Sequence, residues 1–198
     1  MAVGKFQFSG VNHLALVCKD MAETVEFYEG VLGMKLVCAL DLPDGGQHFF
    51  FDAGNDTLIA FFWFQNAPDS DPGRVAPAEL PGEGDFTSAV SSMNHVALTV
   101  PLESFEEHVQ LLRERGIKCS EILNHDDSKY QVSRSMNDRV WLRSVYFWDP
   151  NGVLLELAAL TRPFTPGDAA HDPKNQRGER VALEMVRSKH APAKTSAS

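Results

Sequence analysis

A short internal repeat constrains this chain more than any other feature. Asn12-His13-Leu14-Ala15-Leu16 recurs as Asn94-His95-Val96-Ala97-Leu98, and each copy is followed by a helical pattern that stops at a glycine. Such self-similarity imposes two equivalent units on the fold. In the first, Asp20 can cap a helix whose Val25, Tyr28, Val31 and Leu32 share a face, with Gly33 at its end. Phe105, Val109 and Leu112 make the matching stripe in the second, closed by Gly116. Strand-like runs follow each helix: Lys35 to Leu40, Gln47 to Phe51 and Thr57 to Phe64, then Lys118 to Ile122, Val140 to Trp148 and Val153 to Ala159. Each half therefore reads βαβββ, and the expected class is α+β.

The modules so defined span 11–64 and 93–160, after a leader at 1–10. Residues 65–92 carry Pro68, Pro72, Pro77 and Pro81 with Gly73, Gly82 and Gly84, the composition of a linker. From 161 to 198 the chain is a polar extension, in which Glu179 to Lys189 has the pattern of a short helix. From Pro163 onward its six basic residues are interspersed with four acidic ones, too sparse a patch for a nucleic-acid arm.

At 198 residues with 43% hydrophobic composition the chain can bury a substantial core. Its net charge of −9 repels phosphate backbones and anionic lipid, so neither nucleic acid nor a membrane surface is an expected partner. Cys18, Cys38 and Cys119 are odd in number and widely spaced, which argues against a disulfide framework and for a reducing compartment. No apolar run has the length of a signal or a membrane span, and the expected location is the cytoplasm.

Strand alternation puts His13, Ala15 and Val17 on one side of the first strand, and His95, Ala97 and Thr99 on the matching side of the second. A pseudo-twofold between the repeats would turn both imidazoles toward one axis. The last strand, Val153 to Ala159, holds one carboxylate, Glu156, among apolar neighbours, and a buried charge of that kind is costly unless paired or metal-bound. Two neutral imidazoles and one carboxylate suit non-haem Fe(II), with coordination positions left for substrate or dioxygen.

With its paired modules, its Asn-His-x-Ala-Leu openings and the run Asp149-Pro150-Asn151-Gly152-Val153-Leu154-Leu155-Glu156-Leu157, the chain resembles the vicinal oxygen chelate superfamily over Val11 to Leu160. That superfamily includes glyoxalases, extradiol dioxygenases, epimerases and antibiotic-resistance proteins. The resemblance implies a glyoxalase/extradiol dioxygenase-like open barrel, a homodimer, and a divalent metal held by His13, His95 and Glu156. Glyoxalases of this type take a fourth ligand from the last strand of the first module, where Ala60 stands here; a methyl group cannot bind metal. The remaining set is that of extradiol enzymes, which implies Fe(II), with Mn, Zn or another divalent metal as alternatives.

Extradiol enzymes carry a tyrosine ten residues before the ligating glutamate, the place of Tyr146. Its phenol can hydrogen-bond a substrate oxygen, or simply pack beside Phe147 and Trp148. Where those enzymes use two further histidines, this chain has Asn137 and Asp56. Asn137 can donate a hydrogen bond but moves no proton near neutral pH; Asp56 acts as a base if desolvated, and otherwise is a turn residue after Gly54-Asn55. His48 either reaches the pocket or serves the structure. The resulting expectation is a metal-dependent dioxygenase-like enzyme using dioxygen on a small oxygenated, catechol-type substrate. The alternatives are a glyoxalase-like lyase, isomerase or epimerase, and a ligand-sequestering protein without catalysis.

Overall fold

A computed structural model describes residues 7–169 and 171–188. Residues 10–162 form one unit; among the described residues, 7–9 and those from 163 onward belong to a second. The first unit contains two sheets. Strands β1 (His13–Cys18), β2 (Leu36–Asp41), β3 (Gln47–Asp52) and β4 (Leu58–Trp63) make one, ordered β1-β4-β3-β2. Strands β5 (Val96–Thr99), β6 (Leu123–His125), β7 (Val132–Ser133), β8 (Leu142–Trp148) and β9 (Leu154–Leu160) make the other, ordered β5-β9-β8-β6-β7. In each sheet the opening strand runs parallel to the module's last strand, the only parallel pairing there. The fold is α+β, as expected, and its two sheets do not close into a complete barrel.

Helix α1 (Met21–Val25) begins as the sequence implies, with Asp20 Oδ1 accepting from the Glu23 N–H at 3.0 Å. It continues as a wider π-helical segment over Glu26–Val31, closed by Leu32 N–H bonding the Phe27 carbonyl. The widened turn keeps Phe27 and Tyr28 both buried. Helix α2 (Phe105–Glu114) buries Phe105, Val109 and Leu112, the stripe read from sequence.

The helix-bearing faces of both sheets contribute to a single core. Phe27, Tyr28, Phe51 and Phe61 from the first module share it with Phe105, Val145, Phe147 and Leu155 from the second. The Asp149–Gly152 turn keys the modules together: Asn151 Oδ1 accepts from Lys19 N–H, Asn151 Nδ2 donates to Thr24 Oγ1, and Tyr28 donates to Asp149. With one face of each sheet committed to this core, the faces that carry His13 and His95 point away from it.

Residues 65–92 are no free tether. Leu80 is buried against Tyr146 and Leu154, Ala76 is buried, and Glu83 pairs with Lys118 at 2.7 Å. The extension has its own short elements, including helix α3 (Leu183–Ser188), whose first N–H bonds Asp172. The expected helix end at Lys189 and the leader's first six residues lie outside the described residues. All three cysteines are free, and no described helix is long and apolar enough to cross a membrane.

Candidate functional site

Glu156 sits in mid-β9, 2% exposed, paired with Ala97 on one side and Tyr146 on the other. His95, just before β5, places its Nε2 3.0 Å from Glu156 Oε2. Ser144 shares this face, one pairing row away on β8, and donates its hydroxyl to Glu156 Oε1. Burial opposes the charge on Glu156, but the hydrogen bonds from His95 and Ser144 outweigh it and hold the carboxyl below its ordinary value.

The orientation of His95 is set from behind. Its Nδ1 lies 2.8 Å from Asn94 Oδ1. Asn94 Nδ2 donates to the Phe86 carbonyl and to Ser88 Oγ, which turns the amide oxygen toward the imidazole. Asn94 thus holds a proton on Nδ1 and aims Nε2 at the carboxylate. At that distance a proton or a metal cation lies between Nε2 and the carboxylate. The pair thus fits a divalent ion: one imidazole and one carboxylate aimed at one point, each fixed by a further hydrogen bond.

The repeat reproduces this device in the first sheet, where Asn12 Oδ1 lies 2.8 Å from His13 Nδ1. His13 is exposed, with its ring 5.8 Å from that of Phe50. It does not join His95 and Glu156 within the chain: among the described residues no three His, Cys, Asp or Glu side chains are placed to hold one ion. Within one chain the shared core directs the two histidine faces outward. Strand register places Ala60 opposite Ala15 and Phe50, as Glu156 stands opposite Ala97 and Tyr146.

Tyr146 is 4% exposed and meets the His95 ring edge-on, centroids 5.5 Å apart. Burial and the neighbouring Glu156 push its phenol well above the ordinary tyrosine range. Phe86 from the 65–92 segment lies against both rings, and Leu80, Leu123, Leu154 and Trp148 cluster around Tyr146. His48 stands on the His13 face of the first sheet, stacked on Phe62 at 3.6 Å, with Nε2 buried and unpartnered. Burial and nearby His13 lower its proton affinity.

The remaining candidates stay apart from this centre. Asp56 occupies an exposed turn before β4 at φ 59°, beside Asn55 at φ 51°. Asn137 is exposed, and its amide is engaged in its own loop by Ser133, Ser135 and Arg139. Residues that sequence reasoning left without a role are Asn12, Asn94, Ser144, Leu80 and Phe86. The two asparagines were visible as part of the repeat itself; Ser144 and the covering apolar residues carry no signal before the register is known.

A family model described as Glyoxalase/Bleomycin resistance protein/Dioxygenase superfamily matches residues 10–157. Among curated proteins, the fosfomycin resistance protein FosX of Listeria innocua serovar 6a is 24% identical over 153 residues, covering 77% of this chain and 91% of that protein. A solved glyoxalase family protein from Enterococcus faecalis superposes with a TM-score of 0.53 at 20% identity, over 76% of this chain and 98% of the other. FosX from Listeria monocytogenes, solved with Mn(II) and sulfate, gives 0.50 at 19% identity, over 78% and 95%.

Proposed function

The chain belongs to the Glyoxalase/Bleomycin resistance protein/Dioxygenase superfamily, and on that premise we propose that it is a divalent-metal enzyme of the ring-cleaving dioxygenase type. Its substrate in this reading is a small, oxygenated aromatic molecule of the catechol type. The observation that carries the proposal is His95 Nε2 facing the buried Glu156 carboxylate at 3.0 Å with its Nδ1 engaged by Asn94, an arrangement that suits a cation held by both. His13, with the same asparagine behind it, supplies the third ligand from a second copy of the chain, so the working unit is a homodimer. Fe(II) is the metal favoured for oxygen chemistry; Mn(II), bound by the FosX structure, and Zn(II) are the alternatives.

A bound Fe(II) would polarise two adjacent substrate oxygens and dioxygen. Around it, Tyr146 holds its proton at neutral pH and donates to a substrate oxygen. His48 of the second copy, with its free Nε2, takes or returns a proton on the side His13 approaches from. Phe86, Leu80 and Trp148 exclude water and present apolar walls to a ring.

The test is anaerobic loading with Fe(II) or Mn(II), followed by oxygen-electrode assays with a catechol panel. Oxygen uptake with a ring-opened product is expected, and absence of metal binding would sink the reading. A second reading, a metal-assisted lyase, isomerase or epimerase, is favoured by one observation: neither Asp56 nor Asn137 reaches the centre to serve the oxygenase's proton steps. Catechol binding without oxygen uptake selects it. A sequestering protein without catalysis would have no use for His95 and the buried Glu156 aimed at one point.

A further inference from the structure

His125, the last residue of β6, pairs with Leu142 on β8. Strand alternation places its side chain on the same face as Ser144, Tyr146 and Glu156. The pairing rows run from Glu156–Tyr146, through Ala158–Ser144–Leu123, to Leu160–Leu142–His125. Its ring lies 6.0 Å from that of Trp141 and is near enough to Glu156 and His95 for both to act on it.

Nε2 of His125 is buried and has no hydrogen-bond partner. Leaving such a group unmet costs about 1–3 kcal/mol, and native structures rarely keep one without a reason. The ring's other nitrogen serves the Gln131 backbone, a residue held in the left-handed region at φ 56°. With the proton committed on that side, Nε2 offers a lone pair, and the partner it lacks is a donor. Between this nitrogen and Glu156 the rows present Ala158, Leu123, Leu142 and Leu160, with Ser144 buried and committed to Glu156, and no Lys or Arg.

We infer that the ligand of this face is elongated: two adjacent oxygens at the His95–Glu156 end, an apolar middle against Leu123 and Ala158, and a hydroxyl or amine donor that fills His125 Nε2. This rests on the metal-chelate reading above. It adds a specificity-determining residue and a substrate architecture that the chelating end alone does not dictate.

The experiment uses the full chain loaded with Mn(II) and isothermal titration of catechol. It then compares 4-(hydroxyalkyl)catechols of increasing arm length with alkylcatechols of matched length. At one arm length the hydroxyl compound binds about ten-fold tighter than its alkyl match, the worth of one buried hydrogen bond. His125→Phe abolishes that advantage while leaving the alkylcatechol affinity unchanged. Equal affinities at every length in the wild-type protein, or an advantage that survives in His125→Phe, overturn the inference and leave chelation standing. Failure of catechol itself to bind the Mn(II)-loaded protein overturns chelation and, with it, this assignment.

Discussion

Tyr28 in the first module donates its hydroxyl to Asp149 Oδ2 in the second across 3.2 Å, with both residues buried. Asp149 also accepts from the Asn151 and Val153 backbone N–H groups at 2.8 and 2.7 Å. The bond therefore joins a helix of one repeat to the turn that aims β9, and β9 carries Glu156. Tyr28→Phe is expected to lower stability by about 1 kcal/mol, measured by urea unfolding, because a buried carboxyl loses a donor.

Burial raises the pKa of Asp149 above the ordinary aspartate value, against the backbone hydrogen bonds that lower it. The folded protein thus keeps a proton that the unfolded chain has already released. The resulting stabilisation is fully present below the unfolded value and is lost as pH rises through the folded one. Asp149→Asn, which keeps an acceptor without the charge, should gain stability relative to wild type as pH rises above the ordinary aspartate value. Unfolding curves at several pH values test this, and a constant difference would contradict it.

If His13 and His95 hold a metal, Asn12 and Asn94 act on its affinity through the histidines that follow them. Replacing either by Ala frees the imidazole to change tautomer and should weaken Mn(II) binding by about 10–100-fold with little change in thermal midpoint. Titration calorimetry alongside thermal unfolding separates the two effects.

If two copies share each site, two inactive variants complement one another. His13→Ala lacks the donated imidazole but keeps His95 and Glu156, whereas Glu156→Ala keeps His13. Each alone should lose Mn(II) binding. After unfolding and co-refolding in equal amounts, about one quarter of the wild-type sites should return, since half the dimers are mixed and each restores one of two sites. No recovery would place all three ligands within one chain.

Leu80 tests whether 65–92 is a tether or part of the site. Leu80→Ala should cost about 2–5 kcal/mol, as for other buried leucines. Val90→Ala, in the same segment but 98% exposed, should change stability by less than about 0.5 kcal/mol. Equal effects would return the segment to a passive role.

The repeated motif, both helical stripes and most strands were legible because each follows from periodicity and local capping. The stretch Lys118 to Ile122 was not the strand it resembled. Ser120 turns its hydroxyl onto the Tyr146 N–H, Cys119 makes one isolated bridge to Phe147, and regular pairing resumes only at Leu123. His125 was hidden by its polar neighbours; what draws it into β6 is the long-range bond from Trp141 N–H to its carbonyl. Ala60 and Glu156 were aligned correctly from sequence, since register inside a repeated unit is conserved by its geometry. The direction in which each module faces was not legible, because it depends on which side of each sheet the shared core occupies.

The methyl group of Ala60 also bears on coordination number. The repeat offers two places for a carboxylate per polypeptide, and only the second is filled. In an assembly of two copies that exchanges His13 and His95, each ion would therefore meet three protein ligands rather than four, and the place opposite Ala60 would be left to what the ion activates.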